Sequence, residues 1–130
     1  MTPRFRIFMN TILIENINQP LPTPLHAIYC DSFLCRLRGL MFRSSLATEQ
    51  GLMLVEGRES RLDTAIHMLF VFMDLAVIWI NSEKVVVDTV MARAWRPAYA
   101  PRQPARYILE IHPSRLGEFK IGDHIEFQNA

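Results

Sequence analysis

The apolar positions of this chain recur mostly with a period of two, in short runs separated by turn residues. Along Arg106–Ile111, Tyr107, Leu109 and Ile111 fall on one side, and Arg106, Ile108 and Glu110 on the other. Leu75–Asn81 and Lys84–Met91, rich in Val and Ile and joined by Asn81-Ser82-Glu83, read as a hairpin. In its second arm Val85, Val87, Thr89 and Met91 share one face, and Val86, Asp88 and Val90 the other. Further strands are predicted at His26–Cys30, Gly51–Val55, Thr64–Met68 and His124–Phe127, the last entered through a turn at Ile121-Gly122-Asp123. Gly57–Asp63 reads as a charged loop, and Met91–Ala105 as a long loop holding Pro97, Pro101 and Pro104. Helical periodicity is scarce. Asp31 or Ser32 can cap a short helix through Phe33, Leu34, Arg36 and Leu37 that stops at Gly39, and Pro113–Phe119 forms a short helix or turn. The pattern predicts a mainly β, small single-domain barrel or sandwich of about six to eight short, mostly antiparallel strands with one or two short helices.

Before this stretch, Pro20, Pro22 and Pro24 form a stiff extended hinge. The expected organisation is an N-terminal strand or arm with its hinge over 1–24 and one compact domain over 25–130, in keeping with a length of 130 residues. Met1–Ile14 starts basic and turns apolar, but Asn10 and Thr11 interrupt it and no small-x-small cleavage site follows, so an edge strand or mobile arm is expected. The longest apolar run, Ala65–Ile80, is broken by His67 and Asp74 and is too short for a membrane span. The default compartment is therefore the cytoplasm, with Cys30 and Cys35 as reduced, buried thiols.

Composition narrows the function. Half the residues are hydrophobic and 21% are charged, which excludes a disordered chain. A net charge of +1 excludes a polycation built for DNA. No phosphate-cradling glycine loop, nucleophile elbow or zinc-protease motif is present, and no cofactor or metal is expected.

The residues able to carry chemistry are few. His67 stands between Ile66 and Met68, either as a hydrogen-bonded core histidine or as a ligand contact or general acid/base. Asp74, inside apolar sequence, needs a partner; facing an arginine it is structural, in an open cleft it is catalytic. Arg36, Arg38 and Arg43 surround Gly39; they suit a carboxylate or phosphate, and at least one is expected to pair with a strand carboxylate. Glu110, with His112 and His67, is a third acid and a remote candidate for a metal set. Thr89–Leu109 carries Arg93, Arg96, Arg102 and Arg106 with no acid, interleaved with Trp95, Tyr99 and Tyr107. Basic plus aromatic suits a saccharide or small anion, and less well a single-stranded nucleic acid.

Four segments in order carry a family resemblance. They are Arg36-Leu-Arg-Gly-Leu-Met-Phe-Arg43 with Ser45-Leu46 and Gly51-Leu-Met53; Ala65-Ile-His-Met68 with Phe72-Met-Asp-Leu75 and Val77-Ile-Trp-Ile-Asn81; Lys84-Val85 with Ala94-Trp-Arg-Pro97; and Tyr107-Ile-Leu-Glu110 with Phe119-Lys-Ile-Gly-Asp123. In this order and spacing, from about Cys30 to Phe127, the chain resembles the bacterial and archaeal family called domain of unknown function 192. The resemblance implies a compact β-rich fold and no agreed activity. Many members carry a signal peptide or lipoprotein leader, and the region at Gly57–Asp63 is usually more apolar than here.

Three readings follow. The first is a binding domain with a cleft beside the Ala94–Pro104 loop for a small anionic or carbohydrate ligand. There Arg36, Arg43 and Arg96 supply charge, Trp95 a stacking face and His67 a polar contact. The second is an enzyme using His67 with Asp74 or Glu110 as acid and base. The third is an interaction module in which the strand Phe5–Ile14 adds to another chain, favouring a homodimer.

Overall fold

In the computed structural model, which describes residues 10–129, seven strands form one strongly curled sheet. They are β1 (Asn10–Asn16), β2 (His26–Cys30), β3 (Gln50–Ser60), β4 (Leu75–Ile80), β5 (Val86–Ala92), β6 (Ala105–Ile111) and β7 (Ile125–Asn129). Their order across the sheet is β5-β4-β6-β3-β2-β1-β7. Every pairing is antiparallel except β2 with β3. That parallel pair needs a crossover, which contains the helix α1 (Phe33–Arg38). Ser32 caps α1 by accepting from the Cys35 amide, and Gly39, at φ 51°, ends it. Pro113–Glu118 is a 3-10 turn.

The sheet's two outer strands meet at one end. Val85 bridges His124, Val86 donates to the Asp123 carbonyl and Ile125 donates to the Lys84 carbonyl. Gly122, at φ 98°, makes the turn that brings them together, as Gly122-Asp123 predicts. The result is a half-barrel, the β-rich class that the alternation predicts.

The curl divides the apolar residues into two clusters. The inner cluster holds Ile12, Ile14, Met53, Ile78, Ile80, Tyr107, Leu109, Ile111 and Ile125. The outer cluster holds Leu52, Leu54, Met68, Val71, Val77, Trp79 and Ile108, and is covered by α1 and the loops. The alternation predicted for β6 holds, with Leu109 in the inner cluster and Ile108 in the outer.

Five expectations need correction. The Asn10–Asn16 stretch is no edge strand: β2 and β7 flank it, so it offers no free edge for another chain, and Phe5–Met9 lie outside the described residues. The strict alternation of the second hairpin arm fails at a bulge. Trp79 opposes Asp88 but Ile80 opposes Val86, so Val87 is the extra residue. Val86 then joins the inner cluster while Val90 joins the outer. Thr64–Met68 is no full strand; it makes a single bridge, Ile66 to Tyr99. Half of the charged Gly57–Asp63 loop belongs to β3, which runs to Ser60. Finally, Cys30 and Cys35 are joined in a disulfide, so the premise of reduced thiols falls. No helix among the described residues is long and apolar enough to cross a membrane.

Candidate functional site

A cleft of about 280 Å³ opens over the outer face of the sheet, between α1, the Gly39–Met41 turn and the Ala65–Met68 segment. Its floor is supplied by outward residues of β3 and β6: Leu54, Glu56, Ile108 and Glu110. Glu110 sits one residue from the end of β6, opposite Leu52 on one side and Val77 on the other. A polar group in that row is desolvated by its apolar neighbours. Burial alone pushes the Glu110 carboxyl up to about 7 from 4.5, with no hydrogen bond or charge contributing. Gly39 lies directly above: a Cβ there would come 3.9 Å from Oε1 of Glu110.

His67 lines the same cleft, and its Nδ1 is buried with no hydrogen-bond partner. A buried orphan nitrogen is uncommon in a folded protein. It is held in place because its neighbours Ile66 and Met68 are backbone-bonded to Tyr99 and Arg96 of the long loop. Arg36 also lines the cleft but is already engaged. Its Nε is 3.1 Å from Glu56, and Nη1 donates to the carbonyls of Asp31 and Val55. Thus an arginine of this group does pair with a strand carboxylate. Burial holds Glu56 above the usual carboxylate range despite Arg36.

The other sequence candidates lie elsewhere. Asp74 faces an arginine outside the cleft: it accepts from the Ala94 amide and, at 2.8 Å, from Arg93, and both lower its pKa, the amide bond most. Asp88 is tied in the same way to Arg102 of the long loop, at 2.8 Å. His112 caps the 3-10 turn through Ser114. Among the described residues no three His, Cys, Asp or Glu side chains converge for a metal. Arg43, Trp95 and Arg96 are exposed and line no part of the cleft. The helix ends at Arg38, so Arg36 and Arg43 share no helical face.

Sequence reasoning missed Glu56, the rim carboxylate, because nothing in Val55-Glu56-Gly57 distinguishes it from a solvated strand end. It also missed Arg115, which is buried and donates to the carbonyls of Thr23, Pro24 and Thr48, fastening the proline segment to the domain.

Fold and cleft together define a class: a curled single-sheet β domain with its inner face packed solid and a carboxyl-bearing cleft on its outer face. The chain belongs to the DUF192 family (Uncharacterized ACR, COG1430), whose model matches residues 14–127. The UPF0127 protein of Thermococcus gammatolerans is 42% identical over 85 residues, 65% of this chain and 54% of that protein. The chain thus spans only about half the length of that curated relative. The UPF0127 protein of Pyrococcus furiosus is 36% identical over 102 residues, covering 76% of this chain and 84% of that one. A crystallised protein of Sinorhizobium meliloti 1021, provisionally named a transcription regulator, superposes with a TM-score of 0.77 at 20% identity, over 92% of this chain and 93% of that one. That likeness shows the fold alone.

Proposed function

We propose that this domain binds a small ligand in the outer-face cleft, and that the ligand is a saccharide-like molecule with apolar and hydroxyl faces. The observation that carries this reading is the pairing of an unpartnered buried nitrogen, Nδ1 of His67, with the desolvated carboxyl of Glu110 in one largely apolar cleft. Buried polar groups cost free energy until a partner satisfies them, so a ligand bringing hydroxyl groups recovers that cost on binding. Leu54, Val71 and Ile108 suit the C–H face of a sugar ring. Of the two ligand classes expected from the sequence, the anion fits this cleft less well. Arg36 is spent on Glu56, and Glu56, Asp63 and Glu110 add negative charge to the lining. The site therefore centres on His67 and Glu110, with Arg36 as a positioning residue.

The test is a thermal-shift screen of simple saccharides and sugar acids. A ligand at 100 times its Kd stabilises by about 2.7 kcal/mol, which is readable for a domain of this size. The shift should vanish in His67→Ala and in Glu110→Leu. A flat screen, or a shift that survives in both variants, sinks the reading.

A second reading has one observation in its favour. A carboxyl held near neutrality is suited to general acid/base work, with His67 in the same cleft. It predicts turnover with a pH dependence near 7 that Glu110→Gln removes.

A further inference from the structure

We infer that three loops on the outer side build an aromatic platform that docks on an anionic membrane surface. Phe42, Leu69, Phe70, Phe72 and Trp95 are between 41% and 63% exposed, and they cluster. Phe42 and Phe70 have ring centroids 5.5 Å apart, Phe70 and Trp95 5.0 Å, Phe72 and Trp95 5.6 Å. A contiguous apolar patch of this kind marks an interaction surface.

The backbone is arranged to keep it outside. Phe42, Phe70 and Trp95 adopt φ of 66°, 61° and 67°, a region that bulky side chains avoid. Cross-loop hydrogen bonds hold them there: Phe42 donates to Phe70, Phe72 to Arg43, Trp95 to Met68 and Met68 to Arg96. Strain of this sort persists where surrounding structure imposes it, and it clusters at functional surfaces.

Charge selects the partner. The platform loops carry Arg43, Arg93 and Arg96 against the single carboxylate Asp74, a balance of +2, whereas the whole chain is +1 and its remainder therefore −1. Aromatic side chains on loops that also carry arginine match the boundary of an anionic bilayer, where rings sit at headgroup level and each basic residue adds attraction. A second copy would set +2 against +2. Stacked bases need free ring faces, but these rings already tilt onto one another at 32–59°.

The experiment mixes the full chain with vesicles of phosphatidylcholine alone or with phosphatidylglycerol added, and reads co-sedimentation and tryptophan emission. Trp79 is buried with its indole N–H bonded to Thr64, so a blue shift reports Trp95. The expected result is pelleting and a blue shift with phosphatidylglycerol vesicles, weakened by salt. Arg43→Gln with Arg96→Gln should lower affinity about thirtyfold, from two basic residues. Phe70→Ser with Phe72→Ser should remove the blue shift. If that pair fails to fold, the exposed arginine pair still decides the matter. No pelleting with any vesicle, or binding unchanged in the arginine pair, overturns the inference. So does a blue shift produced by oligodeoxythymidylate but not by vesicles, or a concentration-dependent dimer that hides Trp95 from a quencher.

Discussion

The inner and outer faces of the sheet come from the same strands, yet they obey different rules. On β6, Leu109 and Ile111 face inward among Met53, Ile78 and Ile125. One residue away, Ile108 and Glu110 face outward, and the outer layer also holds the buried Asp88 and the indole N–H of Trp79. Closing a sheet on itself leaves an interior of fixed size that only close-packed apolar atoms fill well. The outer face is covered by loops, which bring carbonyls, amides and arginines with them. Polar groups can be satisfied there, or left waiting for a ligand. The inner face therefore supplies stability, and the outer face supplies the cleft on which the proposed binding rests.

The sharpest way to break this comparison is to damage the inner face. Leu109→Ala should cost about 2–5 kcal/mol, read by urea denaturation, because a filled interior cannot collapse around the cavity. A loss under about 1 kcal/mol would show the inner face to be as tolerant as the outer.

The next largest effect has the opposite sign. Glu110 has a folded pKa above its unfolded value, so folding takes up a proton and stability is highest below 4.5 and falls as pH rises toward about 7. The difference between 4.5 and about 7 corresponds to about 3 kcal/mol lost at and above neutrality. Glu110→Gln should recover most of this at pH 8 and change little at pH 4, in denaturation curves taken at both. A variant no more stable than the parent at pH 8 would mean that Glu110 is already satisfied.

The smallest effect concerns the outer cover. Reducing the Cys30–Cys35 disulfide, whose loop is short, should cost about 2 kcal/mol. None of the residues of α1 is buried, so the helix depends on that bond, its Ser32 cap and the Arg36–Glu56 pair. The loss should appear as faster amide exchange in α1 with β6 unchanged. Equal acceleration in both would show one cooperative unit where two faces are described.

Local pattern was enough for much of this. The β6 alternation, the β4–β5 hairpin, the Ser32 cap and the Gly39 stop are properties of a few neighbouring residues, and the sequence carries them directly. His67 and Glu110 could be named as candidates because a lone titratable group in apolar sequence must be answered by something. Their meeting could not be derived, since it depends on the Ala65–Met68 segment bonding to the long loop rather than forming a strand. The ligand set of the first reading split for the same reason: Arg36 and His67 line the cleft, whereas Arg43, Trp95 and Arg96 form the platform. The Val87 bulge left no mark in a run of valines. The placement of β1 between β2 and β7 is set by partners far away in sequence, which periodicity does not record.

That placement has a kinetic consequence. Ile12 pairs with Asn129 and Asn16 with Ile125, so the earliest described strand is completed by the latest. Contacts of such sequence separation must close nearly the whole chain before they repay its lost entropy, and they slow folding. During synthesis β1 leaves the ribosome with one side unmatched and stays so until β7 follows. Over that interval the apolar Ile12 and Ile14 are open to chaperones, or to another nascent chain.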